Sequence, residues 1–346
     1  GWGKQGYLGR RHDRRHLAPA PGLVQLMALL SRVAGRLYWG ARYIERAEDT
    51  ARIIRAFHEL AIDQPGPARV RWEPLATVAG TSVDLTSTEP ADRDGGEEAV
   101  LHHLIADRSH PSSISSCVAA ARENLRTTRE VMPREAWLVL NGLSQQVDDG
   151  AATAVSRQFR DRFLGQVIGD SRQLDGVIES TMTRAHPYRM WRLGRLIERA
   201  DMTTRVLGVR AASLLVVDAG VDSESGLETH LHEEVQWMGV LRSVSALQMY
   251  QRATHAAIDG AAVVRFLLFY SPFPRSVQGC IDELRTVVMA LPSPQAVIAA
   301  LDHSQTVLDH CDPIVSDGGA LDDAMEDCQR SIAAINQAIL ERFVEW

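Results

Sequence analysis

Two stretches decide how this chain reads: Arg42-Tyr43-Ile44-Glu45-Arg46-Ala47-Glu48-Asp49-Thr50-Ala51-Arg52 and Arg195-Leu196-Ile197-Glu198-Arg199-Ala200-Asp201-Met202-Thr203-Thr204-Arg205. They are identical at seven of eleven positions: Arg, Ile, Glu, Arg, Ala, Thr and Arg. At about 100° per residue, Arg42, Glu45, Arg46 and Asp49 fall in one narrow sector of a helix, while Ile44, Ala47, Ala51 and Ile54 fall on the other side. Each copy is therefore an amphipathic helix with a charged face. In the second copy Arg195, Glu198, Arg199 and Arg205 keep that face, and Met202 replaces the second acid. Two copies imply duplication, or two helices under the same physical demand.

Outward from these stretches the same periodicity continues. Leu30, Val33 and Leu37 extend the first helix back to near Leu29, and Asp63-Gln64-Pro65-Gly66-Pro67 marks a break after it. The stretch from Thr81 to Gly96 has no period and reads as a surface loop. His110-Pro111-Ser112-Ser113-Ile114 offers a serine to cap a helix running to Val131, and Pro133 divides it from the next helix. Helical patterns then cover Ala151 to Thr183, Tyr188 to Val217, Leu231 to Ile258, Ala261 to Tyr270, Ser276 to Leu291, Pro294 to Asp309 and Leu321 to Phe343. The expectation is an all-α, multi-helix bundle with an internal repeat of the Glu-Arg helix.

Composition bounds the function classes. The chain has 346 residues and a net charge of −7, so it lacks the basic excess of a nonspecific nucleic-acid binder. Cys117, Cys280, Cys311 and Cys328 show neither a C-x-x-C pair nor zinc-ligand spacing, which fits a reduced, cytoplasmic protein. No apolar run reaches the roughly 20 residues of a membrane span. Arg10, Arg11, Arg14 and Arg15 ahead of Leu23 to Leu30 mimic a signal peptide, but Arg32 and Arg36 interrupt the apolar run too soon. Residues 1–26 are expected to be a disordered tail or added leader segment, and 27–346 one helical domain.

The residues from Leu37-Tyr38-Trp39-Gly40-Ala41-Arg42 through Glu45-Arg46-Ala47 resemble the signature of the bacterial alpha-E family. Pro111-Ser112-Ser113-Ile114, Ala121-Arg122-Glu123-Asn124, Gly194 to Arg205 and Phe273-Pro274-Arg275-Ser276-Val277 are similar to its other recurring patterns. Ala41 departs from the glycine usual in the family, which puts a close backbone contact there in question. The resemblance implies an all-helical domain that accompanies, or is fused to, a circularly permuted ATP-grasp ligase, with transglutaminase-like proteins as frequent neighbours. It thus implies a part in amide or peptide synthesis, with no cofactor of its own and with ATP and magnesium entering through the partner ligase. It supplies no catalytic residues.

Arg42, Glu45, Arg46, Arg195, Glu198 and Arg199 admit two readings. They build a charged pocket for a phosphate or peptide carboxylate, or each Glu binds an Arg of the other repeat and locks two helices together. Arg275, in the proline corner before Ser276, could meet an anion or simply mark a helix start. Asn124, a poor helix former in mid-helix, points to a tertiary hydrogen bond. His230 and His232 with Glu233 and Glu234, and the pair His303 and His310, fall short of metal-site spacing, and Cys311 beside His310 is a weak nucleophile candidate. No phosphate-binding loop or nucleophile elbow occurs in a suitable context. The leading expectation is an accessory or substrate-binding component of an ATP-grasp-type ligase. The alternatives are a stand-alone amide-forming or amide-cleaving enzyme using the Glu-Arg pairs, and a purely structural scaffold.

Overall fold

The computed structural model describes residues 21–63, 72–80, 96–209, 226–255, 257–311 and 318–344. Among them there are thirteen α-helices and no strand. Helix α1 (Pro21–Asp63) begins at its proline, earlier than Leu29, so the boundary expected at residue 26 falls inside a helix. Residues 1–20 lie outside the described residues. So do residues 81–95, which hold nearly all of the loop expected from Thr81 to Gly96.

Two short helices not marked by the sequence pattern, α2 (Glu73–Val78) and α3 (Glu97–Ile105), follow. Next come α4 (Ile114–Arg126), capped by the Ser113 side chain accepting from Ser116 N, and α5 (Arg134–Gly150), which starts directly after Pro133. Helix α6 spans Arg157–Thr181, and α7, which carries the second Glu-Arg stretch, spans His186–Gly208.

The helix expected from Leu231 to Ile258 is divided into α8 (Gly226–Ser243) and α9 (Leu247–Thr254). The break lies at Ser245, whose φ is 55°. Its amide donates to Arg242 O and the next amide, of Ala246, to Leu241 O. These are the two bonds of a Schellman helix end, here built on serine rather than glycine. Helices α10 (Gly260–Phe269), α11 (Val277–Met289), α12 (Gln295–Cys311) and α13 (Gly318–Ile339) complete the bundle, and Leu340–Val344 widen into a π turn.

Helix α1 packs against α4, α6, α7 and α8, and α7 also contacts α11 and α13. The apolar face of α1, including Leu37, Ile44, Ala51 and Ile54, is buried as its spacing requires. The charged side chains Glu45, Glu48, Asp49 and Arg52 of this helix are buried as well. A helix buried all round with charges on one side is stable only if those charges find partners. The partners come from α7, from α6, from Arg275 ahead of α11 and from α1 itself.

Helices α1 and α7 come into close contact at Gly194. A Cβ there would collide with Tyr38 O and sit 3.1 Å from Ala41 Cβ. Ala41 and Gly194 occupy equivalent positions in the two Glu-Arg stretches. The close contact that Ala41 put in question is supplied by glycine on the other helix.

Candidate functional site

The two charged faces meet and exchange partners. Glu198 of α7 accepts from Arg42 Nε at 2.7 Å and from Arg46 Nε and Nη2 at 2.5 and 3.1 Å, both arginines on α1. Glu45 of α1 accepts from Arg195 Nε at 2.5 Å and from Arg199 Nε and Nη2 at 2.9 and 3.2 Å, both on α7. Each glutamate is thus held by the two arginines that flank the other glutamate in sequence. Both carboxylates are 0% exposed.

Around this exchange the two sites differ. At the Glu45 site Arg275 adds a third guanidinium, 3.0 Å from Glu45 and 2.9 Å from Asp49. The anions that meet Arg275 are therefore the protein's own carboxylates, and Ser276 caps α11 through Gly279 N. Arg195 continues to Glu48 and Asp175, each at 3.0 Å, and Arg52 binds Glu48 and Asp49. The Glu198 site has no third arginine among the described residues. Its arginines reach Asn336 Oδ1 (from Arg42, 2.8 Å) and Ser112 Oγ (from Arg46, 3.4 Å), and Tyr38 also donates to Asn336.

Burial pushes the Glu45 carboxyl up, but Arg195, Arg199 and Arg275 outweigh it and hold it well below the usual glutamate range. Burial opposes ionisation of Glu198 too, and Arg42 and Arg46 again hold it below its ordinary value. Asp49 goes the other way: burial, with Glu45 and Glu48 close by, raises it to about 6 against Arg52 and Arg275. Its Oδ2 has no partner. Burial also pushes the Cys117 and Cys280 thiols up to about 12, so neither supplies a thiolate at neutral pH.

All six Glu-Arg residues singled out from sequence, and Arg275, thus belong to the lattice, in which Arg46 is the most exposed of these seven. Asn124 does not join it. Its Nδ2 donates to Ala120 O within its own helix, so the tertiary bond expected from its poor propensity is replaced by a local one. His303 and His310 are exposed, and the His230 and His232 side chains lie outside the described residues. Cys311 donates to Val307 O and lies 3.6 Å from Cys328 Sγ, while the His310 ring faces Thr306 O, so the two neighbours form no dyad. Among the described residues no group of three metal-ligating side chains converges, and no helix is long and apolar enough to cross a membrane.

Sequence reasoning passed over Glu48, Arg52, Asp175, Ser112 and Asn336. A second correspondence would have exposed Ser112: Pro111-Ser112-Ser113-Ile114-Ser115-Ser116-Cys117 and Pro274-Arg275-Ser276-Val277-Gln278-Gly279-Cys280 share Pro, Ser and Cys at the same spacing. Ser113 and Ser276 cap their helices alike, and Cys117 and Cys280 each donate to the carbonyl of their proline. Ser112 therefore stands beside Arg46 where Arg275 stands beside the Glu45 site.

A family described as a predicted alpha-helical domain with a conserved ER motif, Alpha-E, matches residues 29–344. This chain belongs to the Alpha-E family. The Glu-Arg dipeptides at the centre of the lattice, Glu45-Arg46 and Glu198-Arg199, both fall within the matched residues. Uncharacterized proteins of Mycobacterium bovis and of Mycobacterium tuberculosis strain CDC 1551 are each 25% identical to it over 276 residues, covering 75% of this chain and 30% of theirs. One of Mycobacterium tuberculosis strain H37Rv is 24% identical over the same length. The chain spans about a third of the length of these curated relatives. No solved structure matches it.

Proposed function

We propose that this Alpha-E chain is a non-catalytic helical component of an ATP-grasp-type amide or peptide ligase system. In this reading it works in the cytoplasm, and it docks on the ligase or presents substrate to it. ATP and magnesium bind the partner enzyme. The observation that carries this reading is that the Glu-Arg groups are spent on each other. A general acid or base must reach the substrate and titrate near the working pH. Glu45 and Glu198 are sealed from solvent, are held by arginines of the opposite helix, and stay ionised below the usual glutamate range. A stand-alone amide-forming or amide-cleaving enzyme would therefore have to draw its acid and base from elsewhere. The relatives' greater length also fits a domain that works as part of a larger assembly.

The test is an ATP-hydrolysis and amine-ligation assay on the chain alone, the ligase alone and the mixture. The expected result is turnover that rises only in the mixture. Ligation or amide cleavage by the isolated chain would overturn the proposal.

A further inference from the structure

A cleft of about 370 Å³ lies outside the Glu-Arg lattice but touches its edge. It is lined by Arg52 and Arg55 of α1, Arg172 of α6, Arg242 of α8 and Ser245 of the α8–α9 turn, with Glu59 its one acidic side chain. Ile168, Leu247 and Met249 give it an apolar wall. Its size is at the small end of ligand clefts, which span roughly 300–1,000 Å³.

Arginines outnumber acids in the cleft's lining, Arg52, Arg55, Arg172 and Arg242 against Glu59, and Arg55 is held by Asp161 at 2.8 Å and by Glu59 at 3.4 Å. Five arginines, Arg52, Arg172, Arg195, Arg199 and Arg275, draw on four carboxylates, Glu45, Glu48, Asp49 and Asp175. Glu48 alone is shared by four of them. Arg172 is the outermost, with 55% of its side chain exposed and a 3.2 Å bond to Glu48 as its anchor. Arg52 is buried, yet its Nε has no acceptor. The turn adds an independent sign. Ser245 holds a left-handed conformation that glycine would adopt without strain, and its hydroxyl accepts from Arg172 at 3.1 Å. Glycine there would end the helix as well but would leave Arg172 unaimed.

We propose that this cleft binds a small polycarboxylate of dipeptide size, its carboxylates taken by Arg172 and Arg55 and its aliphatic part lying on Ile168 and Met249. Guanidinium forks match carboxylates in pairs, and the apolar wall favours a ligand with methylene groups over a bare inorganic anion. The site does not rest on the ligase role, because it is defined by this chain alone.

The experiment is isothermal titration calorimetry of the full chain, without ATP or ligase, using the diacid N-acetylglycylglutamate, its neutral diamide and pyrophosphate. The expected result is saturable one-to-one binding of the diacid, at least tenfold tighter than the diamide. Arg172→Met and Arg55→Met should each weaken it about tenfold with little change in melting temperature. Ser245→Gly should keep or raise the melting temperature while weakening binding. Equal affinity for diacid and diamide, or variants that bind like the parent, would overturn the site. Pyrophosphate outcompeting the diacid would overturn its assignment to carboxylates.

Discussion

The Glu45 and Glu198 sites are each built from one glutamate and two arginines at the same spacing, yet the arginines of the Glu45 site are the more deeply buried. At the Glu45 site Arg199 and Arg275 have side chains 10% and 11% exposed, and a second layer of acids backs them. At the Glu198 site Arg46 is 24% exposed, and a serine and an asparagine stand where the third arginine and the extra acids would be. The difference shows that the reciprocal exchange is a self-contained unit. A further arginine can be added at one end only where further acids, Glu48 and Asp49, come with it.

Breaking each site should expose that asymmetry. Glu45→Gln strands three buried arginines and is expected to cost roughly 3–5 kcal/mol or to abolish cooperative folding, read by urea denaturation. Glu198→Gln should cost less, roughly 1–3 kcal/mol, because Arg42 keeps Asn336 and Arg46 can turn to water. Equal losses at the two sites would remove the distinction.

A double-mutant cycle sharpens it. Removing Arg199 together with Glu45 still leaves Arg195 and Arg275 without their carboxylate, so the double variant should recover only a part of the single-variant loss. Near-complete recovery would mean that Glu45 serves one partner. Gly194→Ala pushes a methyl into Tyr38 O, strains both sites at once and should cost about 1–3 kcal/mol, whereas Ala41→Gly at the equivalent position should cost about 1 kcal/mol or less.

Acid titration should separate the sites with the smallest effect. A carboxylate held below its free value of 4.5 contributes stability that is complete above that pH and is lost as pH falls through the folded value. Three guanidiniums hold Glu45 and two hold Glu198, so carboxyl-carbon NMR should show Glu198 taking its proton first on acidification. Glu198→Gln should then flatten the upper part of the acid limb, and Glu45 protonating first would contradict the geometry.

Much of this was legible in the sequence because helical periodicity is a local signal. The spacing of Leu37, Ile44, Ala51 and Ile54 marks α1, and the serine pair Ser112-Ser113 and Pro133 mark boundaries that the structure uses, with Ser113 as the cap. The division of α8 from α9 at Ser245 escaped, because serine is not the residue that usually ends a helix left-handed. Asn124 misled for the opposite reason: a local bond to Ala120 O satisfies what propensity suggested a distant partner must.

What the sequence determined by itself is that two helices carry the same charged face and that an acidic chain of 346 residues, rich in arginine, folds as a helical bundle. What only the tertiary structure decided is that the two faces are turned on each other, that Glu45 takes Arg195 and Arg199 while Glu198 takes Arg42 and Arg46, and that an arginine-lined cleft opens beside them. Periodicity fixes which side chains share a face. Whether a charged face meets water, a ligand or its own counterpart depends on desolvation, and so on what packs against it from far along the chain.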